Sequence, residues 1–87
     1  MNAFLSTIFI HNTIAEYEIF QMGNKFKAIL LSSDDLKRLP VQVTLWKEDG
    51  KWKTFHAVSD HVIYQFGNNI DNHILTSLVD ELKNKAA

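Results

Sequence analysis

Over the first two thirds of the chain, apolar residues occur in stretches too short for helices. Residues 4–10 are rich in β-branched and aromatic side chains, and residues 14–22 and 25–32 have the same character. Gly23-Asn24 separates the last two stretches, and such a pair is typical of a two-residue hairpin turn. The pattern predicts three antiparallel strands, with His11-Asn12-Thr13 as the turn between the first two.

The Gly23-Asn24 turn also predicts how the second and third strands pair. On the side better suited to a core it pairs Tyr17 with Leu30, Ile19 with Ala28, and Gln21 with Phe26. On the other side it pairs Glu16 with Leu31, Glu18 with Ile29, Phe20 with Lys27, and Met22 with Lys25. That second side carries charges beside large apolar residues, so it is more apolar than an ordinary solvent-facing side.

A second hairpin is predicted further along the chain, with a Trp on each arm, and two registers fit it. A two-residue Asp49-Gly50 turn places Trp46 opposite Lys53. A three-residue loop that adds Glu48 places Trp46 opposite Trp52, and a shift of one residue exchanges the faces of a whole strand. We favour the three-residue loop because it pairs similar side chains across the strands.

In the favoured register the two faces of the second hairpin differ in character. The more aliphatic face holds Val41, Val43, Leu45, Phe55 and Ala57, with Lys53 at its edge. The other face holds Gln42, Thr44, Trp46, Trp52, Thr54 and His56. Because of its aliphatic content, we expect the first face to be the one that a helix covers.

The last third of the chain predicts a helix from Ser59 to Lys83. Apolar residues recur there every four positions: Val62, Phe66, Ile70, Ile74, Leu78 and Leu82, with Ile63, Leu75 and Val79 between them. Ser59 suits the N-cap and Asp60 the first turn. Gly67-Asn68-Asn69 leaves a second interpretation open, in which the helix breaks and residues 61–66 form a strand. We favour one long helix.

A helix of that length is about 37 Å long, whereas strands of seven or eight residues span about 25 Å. The helix therefore overhangs the sheet. Its apolar stripe also drifts around the axis, since four residues turn the helix by more than one full turn. The overhang would expose Leu78, Val79 and Leu82 unless it bends back or meets a partner, which indicates oligomerisation.

Together these elements predict an α+β fold. It consists of an antiparallel sheet of about five strands in hairpin order, with one long C-terminal helix packed on one face. Residues 32–40 form a polar connector within the domain, because neither half of the chain has a core of its own. Residues 1–87 are therefore expected to be a single small domain.

Composition narrows the classes of function. Nine Lys and Arg residues face ten Asp and Glu residues, so the chain lacks the basic excess of most nucleic-acid binders. Without Cys, disulfides, a Cys-based zinc site and a thiol nucleophile are excluded. The N-terminal stretch has no basic region or cleavage site of a signal peptide, and no apolar stretch is long enough to span a membrane. We therefore expect a soluble cytoplasmic protein.

Candidate catalytic and metal-binding patterns are weak. His11, His56, His61 and His73 do not have metal-ligand spacing. No Ser lies in a G-x-S-x-G motif, the paired carboxylates fall in loops and at helix or hairpin ends, and the three Gly residues are isolated. The sequence predicts no enzyme, no cofactor and no metal.

The sequence instead favours a non-enzymatic interaction module that forms a homodimer, with another protein as the alternative partner. Exposed Trp residues are typical contact anchors. The predicted contact surface is either the sheet face that holds Trp46, Trp52, Thr44, Thr54 and His56 or the helix end around Leu78 and Leu82. A first alternative is single-stranded nucleic-acid binding through Lys47, Lys51, Lys53, Trp46 and Trp52. A second is a small-molecule site on the open sheet face beside His56.

Overall fold

Five strands and one helix form the fold in this computed structural model, which describes residues 3–10, 12–33 and 39–86. The elements are β1 (Phe4–Ile10), β2 (Thr13–Met22), β3 (Lys25–Ser33), β4 (Gln42–Glu48), β5 (Lys51–Thr54) and α1 (Asp60–Ala86). Each strand pairs antiparallel with its sequence neighbour, in the order β1-β2-β3-β4-β5. The predicted α+β class and hairpin order are confirmed. His11, part of the first predicted turn, and residues 34–38 of the connector lie outside the described residues.

The β2–β3 hairpin has the predicted register over most of its length. The pairs run from Met22 with Lys25 to Tyr17 with Leu30, and Gly23 has the positive φ of 64° that the turn requires. Near the far end a β-bulge lets Glu16 face Ser32, so the predicted pairing of Glu16 with Leu31 is wrong. The turn determines the pairing only as far as the first bulge, so the extra residue on β3 could not be predicted from it.

The β4–β5 hairpin has the other register, so the favoured prediction is wrong. Trp46 pairs with Lys53, and the turn consists of Asp49 and Gly50, with φ values of 53° and 77°. Positive φ at both positions gives a turn whose twist matches that of the flanking strands. The register also places Trp52 on the side of the sheet that α1 covers, and the burial of this side chain outweighs a Trp–Trp pair.

The core lies between the curled sheet and the helix. α1 contacts β1 and β5, the two edge strands, and so lies across the open side of the sheet. The buried apolar residues are Ile8, Ala15, Tyr17, Ile19, Phe26, Ala28, Leu39, Val43, Leu45, Val62, Phe66 and Ile70. Val43 and Leu45 face the helix as predicted, whereas Val41 and Phe55, assigned to the same face, are exposed.

The helix begins where the sequence indicated and continues through Gly67. The Val62 amide donates to the carbonyl oxygen of Ser59 at 3.1 Å and to its Oγ at 3.4 Å, so Ser59 is the N-cap. One continuous helix is confirmed, and residues 61–66 are helical. Gly67 is buried against Trp52: a Cβ atom there would overlap indole Cδ1 and lie 2.6 Å from Cγ. Glycine is needed here for this close approach.

Two amide side chains of α1 bind the outer edge of β1. Gln65 accepts a hydrogen bond from the Phe9 amide and donates one to the Phe9 carbonyl, both at 2.8 Å. Asn69 donates to Ser6 Oγ at 2.7 Å and to the Thr7 carbonyl at 3.2 Å. These bonds occupy backbone groups that an edge strand otherwise offers to other chains.

Because Tyr17 is buried, the fold is expected to lose stability as the solution becomes alkaline. Its ring is buried against Phe66 and its hydroxyl donates to the Pro40 carbonyl at 2.8 Å. Burial raises the pKa of Tyr17 from 10.0 to about 12. The unfolded chain ionises this phenol first, so we expect its contribution to the free energy of unfolding to be full below pH 10 and lost between pH 10 and about pH 12.

Urea unfolding across this range measures the effect. Tyr17→Phe removes the ionisable group, so its unfolding free energy should fall less steeply with pH than that of the unmodified chain. Tyr64→Phe, at an exposed position, controls for the general alkaline loss of stability. Equal slopes in all three proteins would contradict the assignment.

Candidate interaction surfaces

The structure divides the predicted interaction surface between the two sides of the sheet. Trp46 and Thr44 lie on the outer face, the side of the sheet away from α1, and Trp52 and Thr54 lie on the inner face. This separation follows directly from the two-residue turn. His56 is exposed in the segment between β5 and α1. The Trp pair therefore does not form one platform.

Trp52 joins the hairpin to the helix. Its ring is partly buried and packs edge-on against Phe26, with the centroids 5.6 Å apart. Its Nε1 donates to Asp71 Oδ2 at 3.2 Å, and Lys47 Nζ donates to Asp71 Oδ1 at the same distance. Lys47 Nζ also lies 5.6 Å from the Trp52 ring centroid. Sequence reasoning missed Asp71, whose only signal was its position one turn after Gly67.

The outer face carries a small aromatic cluster. Trp46 and Phe55 lie with their ring centroids 4.4 Å apart, and Lys25 Nζ lies 5.6 Å from the first centroid and 5.3 Å from the second. Trp46 Nε1 donates to Glu48 at 3.2 Å, and Lys53 Nζ lies 3.8 Å from Glu48. Phe55 is 73% exposed. The sequence pattern assigned it to the covered face, because the wrong register reverses the strand.

The second half of α1 projects from the domain. The last ring contact between the helix and β1 is a stack of His73 on Phe4, with centroids 3.8 Å apart. From residue 74 to residue 85 every residue is exposed. The large apolar side chains of this projecting half are Ile74, Leu75, Leu78, Val79 and Leu82. The predicted exposure of Leu78, Val79 and Leu82 is confirmed.

Three of these apolar residues lie along a line that differs from the row facing the sheet. Asp71, Leu75, Leu78, Leu82 and Lys85 follow one another at alternating spacings of four and three. Such spacing keeps side chains in line along one side of a helix, and we call this line the seam. Residues four apart advance by slightly more than one full turn of a helix with 3.6 residues per turn, so the apolar row that begins on the sheet side gradually moves around the helix. The seam lies where that row no longer faces the sheet.

The surface of the described residues includes two clefts of several hundred Å³. One, of about 410 Å³, lies between β5 and α1 and is lined by Gly50, Lys51, Trp52, Asp60, Ile63, Tyr64, Asn68 and Asp71. The other, of about 530 Å³, follows β1 and is lined by Phe4, Leu5, Ser6, Thr7, Phe9, Asn69, Asn72, His73 and Thr76. His56, next to which the sequence suggested a small-molecule site, lines neither.

Within the described ranges, no three His, Cys, Asp or Glu side chains come together in a way that could hold a metal ion. His56 and His61 are exposed, and His73 stacks on Phe4. No helix in the described part of the chain is long and apolar enough to cross a membrane. Comparisons with protein-family models, curated proteins and solved structures find no match for this chain.

Proposed function

We propose that the protein is a non-enzymatic interaction module that forms a homodimer through the projecting half of α1. The observation that carries this proposal is the row of three leucines in the seam, which lies on a helical segment whose residues are all exposed. Full burial of one such side chain is worth about 1.5–3 kcal/mol. Leu75, Leu78 and Leu82 therefore gain from any partner that covers them together.

The charges at the two ends of the seam favour a second copy of the chain. Asp71 lies at one end and Lys85 at the other. If two helices pair antiparallel with Leu78 near the two-fold axis, Lys85 of each copy reaches the level of Asp71 of the other. Parallel pairing would instead place like charges together at both ends. The seam is thus complementary to itself in the antiparallel orientation.

The seam is short, and this sets the strength of the dimer. From Leu75 to Leu82 it spans about 10 Å at 1.5 Å per residue. An interface centred on so few side chains lies at the weak end of specific association, with a dissociation constant on the order of 10 μM. The dimer should therefore dissociate on dilution.

Light scattering on a size-exclusion column across a hundredfold range of concentration tests this expectation. The mass should rise from that of a monomer to that of a dimer. Leu78→Glu places two carboxylates at the axis and should leave a folded monomer, because Leu78 is already 52% exposed within one chain. Leu5→Glu changes another exposed leucine, which lies on the outer sheet face, and should leave the dimer intact.

A monomer at every concentration would overturn the proposal, as would a dimer that Leu78→Glu leaves unchanged. Orientation can be tested separately, because the chain contains no Cys. In antiparallel pairing, Leu78→Cys should form a disulfide-linked dimer on oxidation, whereas Lys85→Cys should not. Cross-linking at both positions would indicate parallel helices.

The structure weakens the physical case for single-stranded nucleic-acid binding. Trp52 lies on the inner face, packed against Phe26 and bonded to Asp71, so it cannot form one stacking surface with Trp46 on the outer face. On the outer face, Trp46 and its cross-strand neighbour Lys53 remain as candidate contacts for a nucleic acid. This function stays a prediction, as does a small-molecule site beside His56.

A further inference from the structure

We propose that the cleft between β5 and α1 binds an alkylated ammonium group. Its floor consists of Trp52 and Ile63, both partly buried at the edge of the core. Tyr64, which is 70% exposed, forms one wall. An apolar floor beside a second aromatic ring suits a ligand whose surface is mostly methyl or methylene.

The aromatic rings of the cleft determine the sign of that ligand. Asp60 and Asp71 contribute two carboxylates to the lining, and Lys51 contributes the single ammonium among its residues. Lys47, which lies outside the lining, pairs with Asp71 at 3.2 Å, so these charges balance. Aromatic faces attract cations through their quadrupoles. Trp52 and Tyr64 together therefore match a cation rather than an anion.

Lys47 shows that this part of the protein already attracts a cation. Its Nζ bonds Asp71 at 3.2 Å and lies 5.6 Å from the centroid of the Trp52 ring. Lys47 does not belong to the lining of the cleft. The Trp52 indole therefore already attracts a cation from the β4 side, and it lines the cleft together with Tyr64.

The volume, about 410 Å³, accommodates a trimethylammonium head with a short chain. Such a group occurs in free quaternary amines and on methylated lysine side chains, and both sources offer the same chemistry. Because Tyr64 is largely exposed, desolvation is incomplete, and binding on the order of 1 mM is expected for the free amine.

Titration with choline, followed by backbone amide chemical shifts, tests the proposal. The uncharged isostere 3,3-dimethyl-1-butanol has the same shape and serves as the matched ligand, with salt held constant. We expect choline to shift the amides of Ile63 and Asn68 and to bind at least fivefold more tightly than the isostere. Tyr64→Ala should weaken choline binding at least fivefold, whereas Phe55→Ala, an exposed aromatic on the outer face, should not.

Equal binding of choline and its isostere would overturn the proposal, and so would full affinity in Tyr64→Ala or shifts spread away from the cleft. A peptide with one trimethyllysine separates the two sources: tighter binding than choline indicates a protein tail, and weaker binding indicates a free amine. The same titration in the Leu78→Glu variant keeps Lys85 of a second copy away from Asp71 and the cleft, so that this test does not depend on the outcome of the dimer test.

Discussion

Replacing Phe66 by Ala is expected to lower the free energy of unfolding by about 3–5 kcal/mol, the largest effect of any single truncation considered. Phe66 has no exposed surface and lies at the centre of the contact between α1 and the sheet. Its ring meets Tyr17 edge-on at 4.9 Å. Ala would leave a cavity that the flanking strands cannot close, because their backbone positions are fixed by the sheet.

A domain of this size has a total stability of roughly 5–10 kcal/mol. Phe66→Ala should therefore lose roughly a third or more of that stability, and its urea transition should move to clearly lower concentrations. Leu78→Ala is the matched control in the projecting half of the same helix. At concentrations where the chain is monomeric, its unfolding free energy should change by no more than about 0.5 kcal/mol. Similar losses in the two variants would contradict the assignment of core and projecting halves.

Replacing Gly67 by Ala is expected to destabilise the protein by about 1–3 kcal/mol, although the same change in an ordinary helix stabilises by about 1 kcal/mol. The added Cβ would lie 2.6 Å from Trp52 Cγ and 2.8 Å from its Nε1. The indole cannot easily move away, because it is bound to Asp71 and packed against Phe26. Steric overlap therefore exceeds the gain in helix propensity.

Two variants separate the effect of the steric overlap from the effect of helix propensity. Asn68→Ala, at the next and exposed position of α1, should leave stability unchanged or raise it slightly through helix propensity alone. In a Trp52→Leu background, Gly67→Ala should lose most of its cost, because the side chain with which it collides is smaller. A double-mutant cycle from urea unfolding measures this coupling. If Gly67→Ala costs the same in both backgrounds, the close contact with Trp52 is not its cause.

The two hairpins show what the sequence could predict and what it could not. Gly23-Asn24 allowed one reasonable turn, and the β2–β3 register followed from it as far as the bulge next to Tyr17. The second hairpin allowed two turns, and the choice depended on where Trp52 would be buried, which is a property of the folded helix and sheet. The local preference for a cross-strand Trp–Trp pair favoured the register that the structure does not have. The error exchanged the faces of one strand and so misplaced half of the predicted surface.

The projecting half of the helix was predictable for a different reason. Its exposure depends only on the length of a helix relative to a strand and on the drift of a four-residue repeat, both fixed by backbone geometry. The cleft between β5 and α1 was only partly predictable. Asp60 and Tyr64 are neighbours because they are four residues apart on one helix. Trp52 meets them only through tertiary packing, for which spacing along the chain gave no signal.

The bonds from Gln65 and Asn69 to β1 have a consequence for the order in which the protein folds. They join positions 56 to 63 residues apart, whereas each hairpin of the sheet connects sequence neighbours. Local hairpins close early, and contacts of long sequence separation carry a larger entropic cost. Docking of α1 is therefore the late step. Until it occurs, the edge of β1 is open, and the newly made chain is most exposed to strand-to-strand aggregation in that interval.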